Sequence, residues 1–201
     1  MRRLAERVPL ALTALRAALA PVVVGLALAW PLPWAFGACL AAAFVSDVFD
    51  GIVARRLGVA TPGLRRLDSL ADSVFYVAAL FAAWHLHPDA LRAQGPALAL
   101  LGALELTRYA VDLRKFGKEA SYHMWSSKAW GVALFAGFLA LLALGEARWF
   151  VPAAIWVGVL ADLEGLAISL VLREWRTDVP SLWHALRWRG AGATVRRPGG
   201  A

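Results

Sequence analysis

Between Asp47 and Asp72 the chain reads D-V-F-D-G-I-V-A-R-R-L-G-V-A-T-P-G-L-R-R-L-D-S-L-A-D. Four carboxylates, Asp47, Asp50, Asp68 and Asp72, stand where two long apolar runs meet. A charge inside a bilayer-spanning segment is costly and is read as functional by default. The rule applies here because hydrophobic residues make up 60% of the 201, against about 45–50% in an ordinary soluble domain. The composition implies an all-α integral membrane protein built as one domain.

Working outward, several apolar runs approach the ~20 residues needed to cross a bilayer. The second span is expected over Trp34–Ala54, ending in the first aspartate pair. A basic loop, Arg55–Arg66, leads to a third span starting near Leu67 and ending near Trp84, with the second pair in its first turns. Upstream, Met1–Val8 reads as a short basic interfacial helix, then Leu10–Trp30 as the first span with Arg16 inside it. Pro31 and Pro33 bound the turn between. Downstream, His85–Gly95 is a polar turn, Pro96–Val111 a fourth span with Glu105 and Arg108, and Asp112–Tyr122 a second basic loop. Trp125–Leu144 and Trp149–Leu172 are the fifth and sixth spans, the last carrying Asp162 and Glu164. Arg173–Arg189 is polar and amphipathic, with Thr177 or Asp178 as the expected cap of a short helix. The functional domain is thus placed at residues 1–189, and residues 190–201 are expected to form a disordered cytoplasmic tail. No cleavable signal pattern is evident. Cys39 is the one cysteine, so no internal disulfide forms.

Six spans put both termini on one side, and charge decides which. Of the 21 Lys and Arg, only Arg92 and Arg148 fall in the opposite turns, counting those inside adjoining spans with the nearer loops. The termini and the aspartates are therefore expected at the cytoplasmic face of a multi-pass plasma (inner) membrane protein. The net charge of +7 then reflects topology and attraction to anionic membrane lipids, and no nucleic-acid partner is expected. Trp30, Trp34, Trp84 and Trp149 fall at outer span ends and Trp125 and Trp175 near inner ones, the expected interfacial belt.

Asp47, Asp50, Gly51 and Ala54 share one helix face by their spacing, and Asp68 and Asp72 share a face of the next helix. Four oxygen ligands without His or Cys suit a hard divalent cation, Mg²⁺ or Mn²⁺. Mg²⁺ usually combines carboxylates with substrate phosphates, so a phosphate-bearing ligand is expected. Gly51 and Ala54 leave the face bare for its approach, and Arg55, Arg56, Arg65 and Arg66 offer phosphate partners. The plainer reading, that aspartates at helix starts are caps, would win for Asp68 alone. It does not account for four acids at helix-face spacing.

This motif resembles the signature of the CDP-alcohol phosphatidyltransferase family, D-x2-D-G-x2-A-R-x8-G-x3-D-x3-D. Asp47, Asp50, Gly51, Ala54, Arg55, Asp68 and Asp72 fall in register. Leu64 stands where the family has its second glycine, with Gly63 one residue early. The run Pro9–Pro21 resembles the family's P-N-x-L-T-x2-R-x4-P, with Leu10 in place of Asn and Arg16 at the arginine. The resemblance, to a phosphatidylglycerophosphate synthase-like member, implies transfer of a substituted phosphate from a CDP-linked lipid such as CDP-diacylglycerol to an alcohol, with release of CMP. It implies two divalent ions held by Asp47, Asp50, Asp68 and Asp72, with Asp72 as the base that deprotonates the alcohol. It implies a CDP site at Asp47, Asp50, Gly51, Ala54, Arg55 and Asp68, and a homodimer.

The acceptor is not encoded in the signature. Glycerol 3-phosphate leads because basic residues surround the expected mouth; inositol phosphate or another alcohol is the alternative. Arg65, Lys128, Arg173 and Arg108 are the candidate acceptor contacts. Against them stand snorkelling for Lys128, an ion pair with Glu105 for Arg108 and lipid anchoring for Arg173. Arg16 is read as lying near the cavity or pairing with an acid. His123 is read mainly as interfacial packing. His85, His87 and Asp89 resemble a small outer metal site, but two histidines two apart rarely suffice, and a solvated loop is favoured. Two rival classes share parts of the pattern. An aspartate-rich membrane prenyltransferase would place its acid motifs far apart, and a divalent-cation transporter would place acids near the midplane on broken helices.

Overall fold

The structure is a computed structural model, and it describes residues 2–57 and 61–194, without the side chains of 2–7, 54, 55, 62, 65 and 190–194. Among the described residues eight helices form: α1 (Arg2–Ala29), α2 (Pro33–Leu57), α3 (Pro62–Leu86), α4 (Pro88–Arg92), α5 (Gly95–Phe116), α6 (Trp125–Leu144), α7 (Phe150–Val171) and α8 (Leu182–Thr194). Five carry segments long and apolar enough to cross a membrane: Val8–Ala29, Pro33–Val53, Arg66–Leu86, Trp125–Leu144 and Phe150–Val171. Six were expected. The difference is α5, whose 22 residues include Glu105, Arg108, Asp112, Arg114 and Lys115.

Local chemistry moves several boundaries. α1 runs through Pro9 without a break, so the expected interfacial segment and the first span are one 28-residue helix. α2 and α3 both extend into the expected basic loop, which shrinks from about a dozen residues to the link between Leu57 and Pro62. The start of α3 is set by Thr61, whose hydroxyl accepts from the Leu64 amide at 3.2 Å, with Pro62 in the first turn. Asp68 therefore lies in the second turn and is not a cap. The polar turn after α3 winds into α4. Gly117, at φ +70°, ends α5 in the left-handed conformation that glycine adopts without strain. The short C-terminal helix begins at Leu182 rather than at Thr177 or Asp178. Those two residues instead join a parallel bridge, Ser121 with Thr177, where the Asp178 amide donates to the Ser121 carbonyl at 3.0 Å. α8 continues to Thr194, within the stretch read as a tail, and residues 195–201 lie outside the described residues.

The chain divides into two compact units. The first holds residues 1–93 and 135–151, so α1 to α4 and the second half of α6. In it α1 packs along both α2 and α3. The inner face of α3 is mostly alanine, Ala71, Ala78, Ala79, Ala82 and Ala83 around Phe75, all buried. Small residues let helices approach closely where lipid supplies no hydrophobic drive. Large apolar side chains such as Val22, Val45, Phe49, Leu70 and Val77 point outward, as a lipid solvent permits. Phe135 stacks on Phe44 with centroids 4.4 Å apart.

The second unit holds residues 94–134 and 152–201. On α7, Gly158 and Gly165 are the close approaches. A Cβ at Gly158 would stand 2.6 Å from the Trp130 indole nitrogen, and one at Gly165 would stand 2.9 Å from Arg108 Cδ. Tyr122, Met124, Ile168, Leu172, Val179 and Ala185 form its core. Lys115 donates to the last α7 carbonyls, Ser169 and Leu170, at 2.8 and 2.9 Å.

Candidate active site

The buried positions of α1 are Pro9, Thr13, Arg16, Ala20, Val23 and Ala27. These are steps of four and three, the stripe that a helix turns toward its neighbours. Arg16 lies on that stripe, so its side chain enters the first unit and is 1% exposed. On α2 the corresponding stripe is Phe36, Leu40, Ala43, Ser46 and Asp50, with Asp47 one step toward the surface. On α3 Asp68 and Asp72 lie one turn apart, around buried Ala71. The inner stripes of α1, α2 and α3 thus carry their charges to one meeting point.

There Arg16 meets all four acids. Its Nη1 donates to Asp47 Oδ1 at 3.1 Å and to Asp72 Oδ1. Its Nη2 donates to Asp68 Oδ1 at 3.0 Å and to Asp50 Oδ2. Its Nε is buried with no partner among the described residues. Asp50 is the buried acid, with a side chain 5% exposed, whereas Asp47, Asp68 and Asp72 open partly to the surface. The plainer reading of Arg16, a pair with an acid, is therefore correct in kind and too small in extent. The spacing of Pro9, Thr13, Arg16 and Ala20 was the available signal for it.

The other candidates separate by environment. Gly51 lies on α2 beside Asp50, partly buried. Ala54, Arg55 and Arg65 lie on α2 and α3, but their side chains fall outside the described residues. Gly63 has open space where a Cβ would point, so no close approach among the described residues depends on it. Arg56 and Arg66 are exposed.

In the second unit Arg108 is held by Glu105 at 2.8 Å and faces buried Asp162 at 3.4 Å. Asp162 and Glu164 do face different neighbours. Glu164 accepts from the Ser126 hydroxyl at 2.5 Å and from the Leu182 amide at 2.9 Å, so it sits at the positive end of α8. Lys128 is exposed, with its Nζ 5.9 Å from the Trp125 ring centroid. It lines a cavity of about 280 Å³ with Tyr122, His123, Trp125, Asp178 and Pro180. His123 and Asp178 both hold φ above +50°, uncommon for residues with a Cβ. Burial pushes the Tyr122 phenol pKa up, against the hydrogen bond it shares with Ser169. Arg173 is exposed just beyond α7. His85, in the last turn of α3, stacks on Phe81, His87 closes α3, and Asp89 on α4 pairs with Arg92, so the triplet spans two helix ends rather than the expected loop.

A family model for CDP-alcohol phosphatidyltransferases matches residues 6–174. The chain belongs to the CDP-alcohol phosphatidyltransferase family. Searches among curated proteins and among solved structures return no match. Family membership makes the protein a membrane transferase of phospholipid biosynthesis, which moves a phosphatidyl group from a CDP-linked alcohol to another alcohol. The prenyltransferase and transporter readings fall away.

Members of the family use divalent Mg²⁺ or Mn²⁺, and the residues present fit such an ion. Asp47, Asp50 and Asp68 each offer a carboxylate oxygen, and these oxygens lie within 4.8 Å of one another. Opposite ligands of an octahedral ion bound at about 2.1 Å stand about 4.2 Å apart. The trio therefore closes on an ion with small side-chain shifts. The donor set is all oxygen, as a hard cation requires. Arg16 already places positive charge among these acids. Asp72 stands outside the trio and joins it through the shared guanidinium.

Proposed function

We propose that this transferase takes the phosphatidyl group of CDP-diacylglycerol, passes it to glycerol 3-phosphate and releases CMP, at the cytoplasmic face of the plasma membrane. The observation that carries the assignment of roles is the split among the four acids. Three converge as a ligand set, and the fourth stands beside them, joined through Arg16. Asp47, Asp50 and Asp68 hold the metal, and Asp72 is the base, free to touch an ion as well. A divalent ion bound there neutralises pyrophosphate charge and stabilises the leaving CMP. The CDP contacts are assigned to Gly51, Ala54 and Arg55 on the resemblance of their motif to the family signature.

The chemical step balances as a displacement at phosphorus. Asp72 takes the proton from the acceptor hydroxyl. The oxygen forms a bond to the lipid-side phosphorus, and the bond from that phosphorus to CMP breaks, with the electron pair leaving on CMP. Of the four acceptor candidates, Arg108 is engaged by Glu105 and Asp162. The preference for an acceptor that bears a phosphate is assigned to Arg65, Lys128 and Arg173.

The test is a CMP-release assay on purified protein with CDP-diacylglycerol and Mg²⁺ or Mn²⁺. The acceptor panel comprises glycerol 3-phosphate, inositol phosphate, inositol and glycerol, and the lipid products are identified by mass. Glycerol 3-phosphate is expected to give the highest rate. Faster release with another member reassigns the acceptor, and no acceptor-dependent release from any of them overturns the reading.

A further inference from the structure

We propose that Arg16 is the resident counter-cation of the aspartate cluster, and that divalent-ion loading displaces its guanidinium from the carboxylates. This inference rests on the metal-dependent reading of the site.

One planar group takes an oxygen from each of four acids that come from two different helices. Three of those acids are also the ligand trio. A guanidinium presents N–H donors at about 3 Å from its acceptors, whereas a hard cation requires oxygens at about 2.1 Å. Two cations cannot occupy the space enclosed by these oxygens together. An ion therefore enters only as Arg16 withdraws from at least Asp47, Asp50 and Asp68.

Charge explains why an arginine stands there at all. Four carboxylates with no cation would put four negative charges at one level of membrane-spanning helices, a large cost. Arg16 removes one of them and bridges the remainder through hydrogen bonds. Lysine, a point charge on a flexible stem, does not offer the planar fork that reaches four acceptors. Once an ion supplies the charge, this function of Arg16 ends. Among the described residues the side chain is also held at its tip alone: both terminal nitrogens are engaged while Nε is buried without a partner. A pose that leaves one buried donor unsatisfied is not the most favourable one for an arginine, which eases withdrawal. By linkage, the factor by which Arg16 weakens ion binding equals the factor by which the ion weakens the hold of Arg16.

The test measures Mn²⁺ affinity by the electron paramagnetic resonance signal of free Mn²⁺, with the full-length protein in detergent. Arg16→Gln is expected to bind Mn²⁺ about tenfold tighter than wild type, within the usual range of coupling between two sites. Arg16→Lys keeps the charge, and with it the ion-free fold, and should bind with intermediate affinity. Millimolar guanidinium chloride should weaken binding in Arg16→Gln and leave wild type unaffected, because only the variant has room for it. Arg16→Gln should also gain more thermal stability from Mn²⁺ than wild type does. Equal or weaker Mn²⁺ binding in both variants overturns displacement, while binding by wild type that Asp50→Asn abolishes keeps the metal reading standing. No Mn²⁺ binding by wild type overturns both.

Discussion

Asp72 is the base in the proposed mechanism, and its position yields the sharpest prediction. It shares Arg16 with the ligand trio, yet its oxygens are not among the three that converge. Asp72→Asn keeps the size and removes the proposed base. It should lower kcat by about 10²–10⁴-fold, the usual contribution of general base catalysis, while CDP-lipid binding by equilibrium dialysis stays near wild type. A kcat within a few fold of wild type would assign the base elsewhere. Lys128 gives a prediction of the opposite kind, because it is assigned to binding. Lys128→Ala should raise KM for glycerol 3-phosphate about tenfold or more, the scale of one charge-assisted hydrogen bond, with kcat largely kept. If KM is unmoved, Lys128 is an interfacial side chain. At this scale the acids were legible because four carboxylates in apolar helices have few innocent explanations. The part of Arg16 was less so. Its charge was evident, but the contacts depend on three helices meeting at one level, which spacing along a single helix does not encode.

At the scale of elements, helix existence was legible from apolar length and helix ends were not. α6 occupies the expected Trp125–Leu144, because Trp and Leu bracket an uninterrupted apolar run. α2 and α3 overran their expected ends because Arg56, Leu57 and Arg66 are good helix formers, and a basic composition is not a helix stop. The true boundary signal was Thr61-Pro62, the cap and first-turn proline that start α3. Packing between elements was not legible from glycines alone, since those in the chain differ in what surrounds them. Gly158→Ala would drive a methyl group into the Trp130 ring and Leu101. It should destabilise the protein by about 1–3 kcal/mol, as overpacking does. Gly102 has open space around it on α5, so Gly102→Ala should be neutral or stabilise by up to about 1 kcal/mol. Thermal unfolding midpoints in the same detergent check the pair. A lowered midpoint for Gly102→Ala and an unchanged one for Gly158→Ala would contradict the packing of α6 on α7.

For the whole molecule, the topology turns on whether α5 crosses the bilayer. Its 22 residues give about 33 Å at 1.5 Å per residue, enough for a hydrocarbon core of about 30 Å. Its composition fails as an apolar span, yet its most awkward charges do not stand alone. Arg108 is paired with Glu105 and faces Asp162, and pairing is how charged groups are tolerated at membrane depth. If α5 crosses, the chain has six spans, both termini share a side, and the sparse basic residues Arg92 and Arg148 face outward, as the charge asymmetry requires. If it does not, five spans separate the termini. The chain offers a clean test, because its one cysteine, Cys39, is buried and replaceable. In a Cys39→Ala background, Asp89→Cys and Lys118→Cys place single thiols at exposed positions on either side of α5. A membrane-impermeant maleimide applied to intact cells should label the thiol at 89, and should label the one at 118 only after permeabilisation. Labelling of both from the same side would show that α5 stays on one face. Labelling at 118 alone in intact cells would invert the protein and put the aspartate site outside, away from any cytoplasmic supply of CDP-lipid and phosphorylated acceptor. The asymmetry of 21 basic residues argues against that outcome, because lysine and arginine are retained on the side from which the chain inserts.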